Sequence, residues 1–152
     1  MNRAARALTV AAALALSAAG CAKPVIGNPI AIEAPGQAEL TGLAGLWEGT
    51  YLCNQGETGL RLAVDPPRAG AVTAVFEFFP LETNPKAARG KFSMIGTVIN
   101  GRVLLKQHEW IEQPEGYGMV DVDLPGPVPP DAPELTGRVV FEGCTTLKLV
   151  RK

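Results

Sequence analysis

Trp47-Glu-Gly-Thr-Tyr-Leu-Cys-Asn-Gln-Gly-Glu-Thr-Gly-Leu-Arg-Leu-Ala-Val64 is the stretch that decides the fold. Trp47, Gly49 and Tyr51 fall on one face against Glu48 and Thr50, and Leu60, Leu62 and Val64 alternate with Arg61. A period of two marks half-buried strands, and the polar run from Asn54 to Glu57 between them predicts a β-hairpin. The same stretch holds two of the chain's four Trp and Tyr residues, and it carries Cys53.

The period persists downstream. Pro66 to Gly70 predicts a turn, after which Val72, Ala74, Phe76 and Phe78 share a face. A loop over Pro80 to Gly90 precedes Phe92, Met94 and Gly96. Asn100-Gly101 is the strongest hairpin signal, because a type I′ turn needs positive φ at both central residues. Val103 and Leu105 follow, then the edge-like Gln107-His-Glu-Trp110. Gly118, Val120, Val122 and Leu124 form another face, and Pro125 to Pro133, with five prolines, predicts a surface loop. Leu135, Gly137, Val139 and Phe141 make the next face, and Thr145, Leu147 and Leu149 the last.

About eight short strands and no long amphipathic helix predict an all-β domain over residues 43–152. The expected form is a single small antiparallel barrel of calycin-like or avidin-like type, with a β-sandwich as the alternative. An eight-stranded barrel is just wide enough to be filled by side chains or to hold one small ligand. Gly49, Gly96, Gly118 and Gly137 fall on the inward faces, where they mark either tight curvature or room for a ligand.

Residues 1–20 read as a signal peptide: Arg3 and Arg6 precede a short apolar run, too short to span a bilayer. Leu16-Ser-Ala-Ala-Gly-Cys21 resembles the lipobox of bacterial lipoproteins, with Ala18 where that family has leucine. The resemblance implies that Cys21 is lipidated and becomes the mature N-terminus. Two or three acyl chains hold a protein stably on a membrane. Ala22 after the cysteine implies an outer-membrane address. Residues 21–42, rich in Pro and Gly, are expected to be a flexible tether.

The composition narrows the function classes. The chain has 14 basic and 15 acidic residues; without Arg3 and Arg6 it has 12 against 15, a net charge of −3. Nucleic acid favours a basic face, so it is not an expected partner. With Cys21 lipidated, Cys53 and Cys144 form an even pair in an oxidising compartment, which predicts a disulfide. Parity puts Cys53 inward and Cys144 outward, a mismatch that a bulge around Gly143 would repair.

Catalytic and metal-binding material is scarce. His108 is the only histidine and Ser93 the only serine after the leader, so no triad, cofactor or metal site is expected. Gln55-Gly-Glu-Thr-Gly59 lacks the Lys-Ser/Thr ending of a phosphate loop and is a turn. Asp121 and Asp123 alternate as a solvated strand face does, although two carboxylates so placed can also do acid–base work.

Aromatic residues are the best candidates for binding: Trp47, Tyr51, Phe76, Phe78, Phe92, Trp110 and Tyr117. Trp110 and Tyr117 are expected on a Pro/Gly loop, where they either recruit a ligand or partner or cap the barrel end. The Trp47-x-Gly-x-Tyr-x-Cys-x-Gln-Gly pattern, with Trp110-Ile-x-x-Pro-x-Gly-Tyr117, resembles small exported bacterial domains and implies no activity. Tyr51-x-Cys53 is also similar to the membrane-bound lysozyme-inhibitor lipoproteins, over a few residues only and without an inhibitory motif. The expectation is an envelope protein anchored to a membrane that binds without catalysis, taking a small apolar or amphipathic ligand or a partner protein. The alternative is an envelope inhibitor with a filled barrel.

Overall fold

A computed structural model describes residues 33–152. The signal peptide, Cys21 and most of the expected tether lie outside these residues. Eight strands form one closed antiparallel barrel in sequence order: β1 Gly45–Cys53, β2 Gly56–Val64, β3 Ala71–Phe79, β4 Gly90–Ile99, β5 Arg102–Glu112, β6 Asp121–Leu124, β7 Glu134–Val140 and β8 Thr146–Arg151. The sandwich alternative is excluded by closure. β8 returns to β1, with Trp47 opposite Arg151 and Tyr51 opposite Leu147.

The alternation seen in the sequence is the alternation of burial. Leu60, Leu62, Phe76, Phe78, Phe92, Met94, Leu105, Val122, Leu147 and Leu149 are buried in one core. The β4–β5 hairpin turns at Asn100-Gly101 with φ +51° and +73°, as a type I′ turn requires. On the outer wall Arg61 bridges Glu48 and Glu77, and its hydrogen bond to Glu48 holds that carboxyl below the usual carboxylate range. Exposed pairs of this kind contribute little to stability.

The expected tether needs a correction at its end. Gln37–Thr41 forms a short helix, α1, and Leu40 and Leu43 are fully buried. Gln37 fixes it, donating from Nε2 to the Pro67 carbonyl at 2.8 Å and accepting the Gly70 N–H at 3.0 Å. The helix, Leu43 and the proline loop close one end of the barrel, and this loop is no free surface strand. Its Val128 is buried, and its backbone presses on Gly42, where any side chain would strike the Val128 carbonyl.

Trp47 lies at this closed end. Its indole N–H donates to the Leu43 carbonyl at 2.8 Å, and the Arg151 guanidinium sits 4.1 Å from its ring centre. Arg151 also donates to the carbonyls of Gly42, Ala44 and Ala132. One cation thereby joins the first strand, the last strand and the segments that cover them.

Three of the four inward glycines answer to curvature. A side chain at Gly49 would strike the Lys148 carbonyl, one at Gly96 the Leu105 and Val72 side chains, and one at Gly137 Leu124 and the Asp123 carbonyl. A side chain at Gly118 would meet only the Phe141 ring, at 3.3 Å.

Candidate functional site

The other end of the barrel is open. A cavity of about 270 Å³ enters there, between the β1–β2 turn, the 113–120 loop and the β7–β8 turn. Tyr51 from β1, Phe76 and Phe78 from β3 and Phe92 from β4 form its walls. Asn54, Gln55, Gly116, Tyr117, Gly118, Val120 and Phe141 surround its mouth. The rings are mutually fixed: Phe76 stacks on Phe92 at 4.8 Å, Tyr51 meets Phe76 edge-on at 5.4 Å, and Tyr117 stacks on Phe78 at 5.5 Å. No Asp, Glu, Lys, Arg or His among the described residues lines the cavity.

Two phenols and the side-chain amides of Asn54 and Gln55 are the polar side chains of its lining. The Tyr51 hydroxyl accepts the Gln55 side-chain amide at 3.1 Å, and the Tyr117 hydroxyl accepts the Ala88 N–H at 3.0 Å. Burial, with the Tyr117 phenol nearby, pushes the Tyr51 pKa up to about 12, so it is a neutral donor at any physiological pH. The mouth is braced from the β3–β4 loop, where the Asn84 side-chain amide donates to the Gln55 and Glu57 carbonyls at 2.7 and 3.0 Å.

Cys53 and Cys144 form a disulfide on the cavity rim. The expected bulge at Gly143 is instead a turn. Strand β7 stops at Val140, the Cys144 N–H donates to the Phe141 carbonyl, and Gly143 takes φ +77°. Cys144 therefore belongs to no strand and has no parity to violate. The same turn removes Phe141 from the inward face assigned to it, leaving its ring 52% exposed at the mouth.

Of the site residues expected from sequence, the structure brings Tyr51 and Tyr117 together. Neither tryptophan lines the cavity with them. Trp47 is at the far end, in the closed core. Trp110 is not on a loop but in β5 opposite Phe92, half-buried and packed edge-on against it at 5.3 Å. The cause is one extra residue: Met94 pairs with Gln107 and Phe92 with Trp110, so β5 bulges and the parity of Trp110 reverses. Trp110 and Tyr117 thus cap the barrel end. Asn54, Gln55, Val120 and Phe141 went unassigned, and the Glu142-Gly143 turn signal would have placed Phe141 at the mouth.

The other polar candidates are on the outer wall. Asp121 accepts from Lys106 Nζ and the Gln107 N–H, and Asp123 from Arg102 Nε. The bulge places Ser93 Oγ 3.3 Å from His108 Nδ1, but the pair faces solvent and lines no pocket that holds the aromatic cluster. Comparison with known proteins gives no matching family model, no matching curated protein and no matching solved structure.

Proposed function

We propose that this chain is a lipid-anchored protein of the bacterial cell envelope, attached through Cys21. In this reading it acts as a non-catalytic binding module that takes a small apolar or amphipathic ligand. The observation that carries it is the aromatic cavity, closed on one side by a packed core and open on the other. Ligand sites are characteristically concave and apolar with a few placed polar groups. The disulfide agrees with an exported address, since such bonds persist in oxidising compartments. A filled barrel, as the inhibitor alternative has it, leaves that cavity without a purpose.

The test is purification of three proteins from bacterial envelopes, with mass spectrometry of bound small molecules. The full-length protein is expected in the membrane fraction with a ligand. Cys21→Ser should become soluble and keep the ligand. Val120→Trp, which blocks the cavity at its mouth, should stay in the membrane without it. If Val120→Trp folds and carries the same molecules as the unmutated protein, the binding reading is wrong. If Cys21→Ser stays membrane-bound, the anchor is wrong.

A further inference from the structure

The cavity sets limits on its occupant, and these rest on the reading of the open end as a ligand site. Size comes first. A cavity of about 150 Å³ suffices for a benzene-sized molecule, and this one is about 270 Å³. It therefore suits a molecule of one or two rings and is too small for a long lipid.

Shape and charge come next. The walls are flat rings at fixed tilts, and aromatic faces favour planar partners by stacking or edge contacts. With no charged side chain on the lining, an ionised group inside would lose its hydration without a counter-charge.

The phenols add direction. Each has its oxygen engaged by a protein donor, Gln55 Nε2 at Tyr51 and the Ala88 N–H at Tyr117. The Tyr117 proton has no acceptor among the described residues. The Thr58 hydroxyl lies beside the Tyr51 phenol and donates to the Gly56 carbonyl, so its lone pairs compete with a ligand for the Tyr51 proton. A phenol donor that meets an acceptor atom of a ligand inside this sheltered cavity gains a hydrogen bond there. Two such donors on one cavity are complementary to an acceptor oxygen and offer nothing to a pure hydrocarbon.

We infer that the open cavity selects a neutral, planar one- or two-ring aromatic compound bearing a carbonyl or quinone-type oxygen, which accepts hydrogen bonds from Tyr51 and Tyr117. The two phenols are specificity determinants; the phenylalanines supply the bulk of the contact.

Titration calorimetry on the full chain in detergent tests this with three probes of one size. They are 2-acetylnaphthalene, its hydrocarbon counterpart 2-ethylnaphthalene, and the anion 2-naphthoate. The ketone should bind at least tenfold more tightly than either of the others. Tyr51→Phe and Tyr117→Phe keep the rings and remove one donor each. Both should erase most of the ketone's advantage while changing hydrocarbon affinity less than threefold, with urea unfolding confirming that each variant is folded. Equal binding of ketone and hydrocarbon, tightest binding of the anion, or a ketone preference that survives both substitutions overturns the inference and leaves the binding reading standing. Failure of all three probes to bind the unmutated protein overturns both.

Discussion

Trp47 and Tyr51 stand four residues apart on the same face of the same strand, yet they belong to opposite ends of the barrel with opposite characters. At the closed end every strong donor is consumed within the chain: the indole N–H goes to Leu43, and Arg151 goes to three carbonyls and the Trp47 ring. At the open end two phenols accept hydrogen bonds on the cavity lining, where their O–H groups can reach a ligand. The closed end is filled because α1, the turn that follows it and the proline loop contribute Leu40, Leu43 and Val128. At the open end the 113–120 loop contributes Tyr117 and Val120 but leaves the cavity between itself and the strands. The hollow therefore reflects where covering chain is supplied, and not a shortage of large side chains, since Phe76, Phe78, Phe92, Trp110 and Tyr117 all crowd that half.

The sharpest way to break this contrast is to truncate one aromatic at each end. Trp47→Ala should cost about 3–5 kcal/mol, as for a large aromatic deleted from a packed core. Phe141→Ala should cost under about 1 kcal/mol, because its ring is already half in water. Urea denaturation of both variants measures the difference; equal losses would mean that the two ends are packed alike.

A smaller effect should appear in alkali. The Tyr51 pKa is raised from about 10 to about 12 by burial, so the unfolded chain releases this proton first. The tyrosine's contribution is fully present below pH 10 and is lost as pH rises through 12, by about 2 kcal/mol. Urea midpoints at pH 8 and pH 11 should therefore fall further for the unmutated protein than for Tyr51→Phe. A parallel fall in both would place the titration elsewhere.

The smallest effects belong to the outer wall. Asp121→Asn and Asp123→Asn each remove an exposed ion pair to Lys106 or Arg102, and should shift stability by no more than about 0.5–1 kcal/mol. Ligand binding should not change. A large loss of binding in either variant, with folding intact, would move the functional site out of the cavity.

The strands, the closure of the barrel and the disulfide were legible because period-two burial and cysteine pairing are local or countable signals. What was missed has one physical form: a single residue that shifts parity, or a single turn held by tertiary contacts. The bulge at His108–Glu109 sent Trp110 inward; nothing in Gln107-His-Glu-Trp110 itself marks an extra residue. The turn at Phe141–Cys144 ended β7 early. Helix α1 is one turn and a half of chain, too short to show a period, and only the Leu40-x-x-Leu43 spacing hints at it. The cavity was invisible for a related reason. Which inward residues leave space depends on what covers each end, and that is decided by segments far away in the chain.

The β1–β8 seam has a topological consequence. It is a hydrogen-bonded antiparallel pair like the other seven, and the Lys152 N–H donates to the Leu46 carbonyl at 2.9 Å. The ends of the ladder are thus neighbours, and the barrel has no intrinsic first strand. A short linker from residue 152 to 45, with the chain reopened between Asn100 and Gly101, would give a circular permutant with all eight pairings retained. Both the new joint and the new break lie at the closed end. The rearrangement would remove α1 and Leu43 while leaving the loops around the mouth untouched, so the permutant separates what the plug does for stability from what the mouth does for recognition.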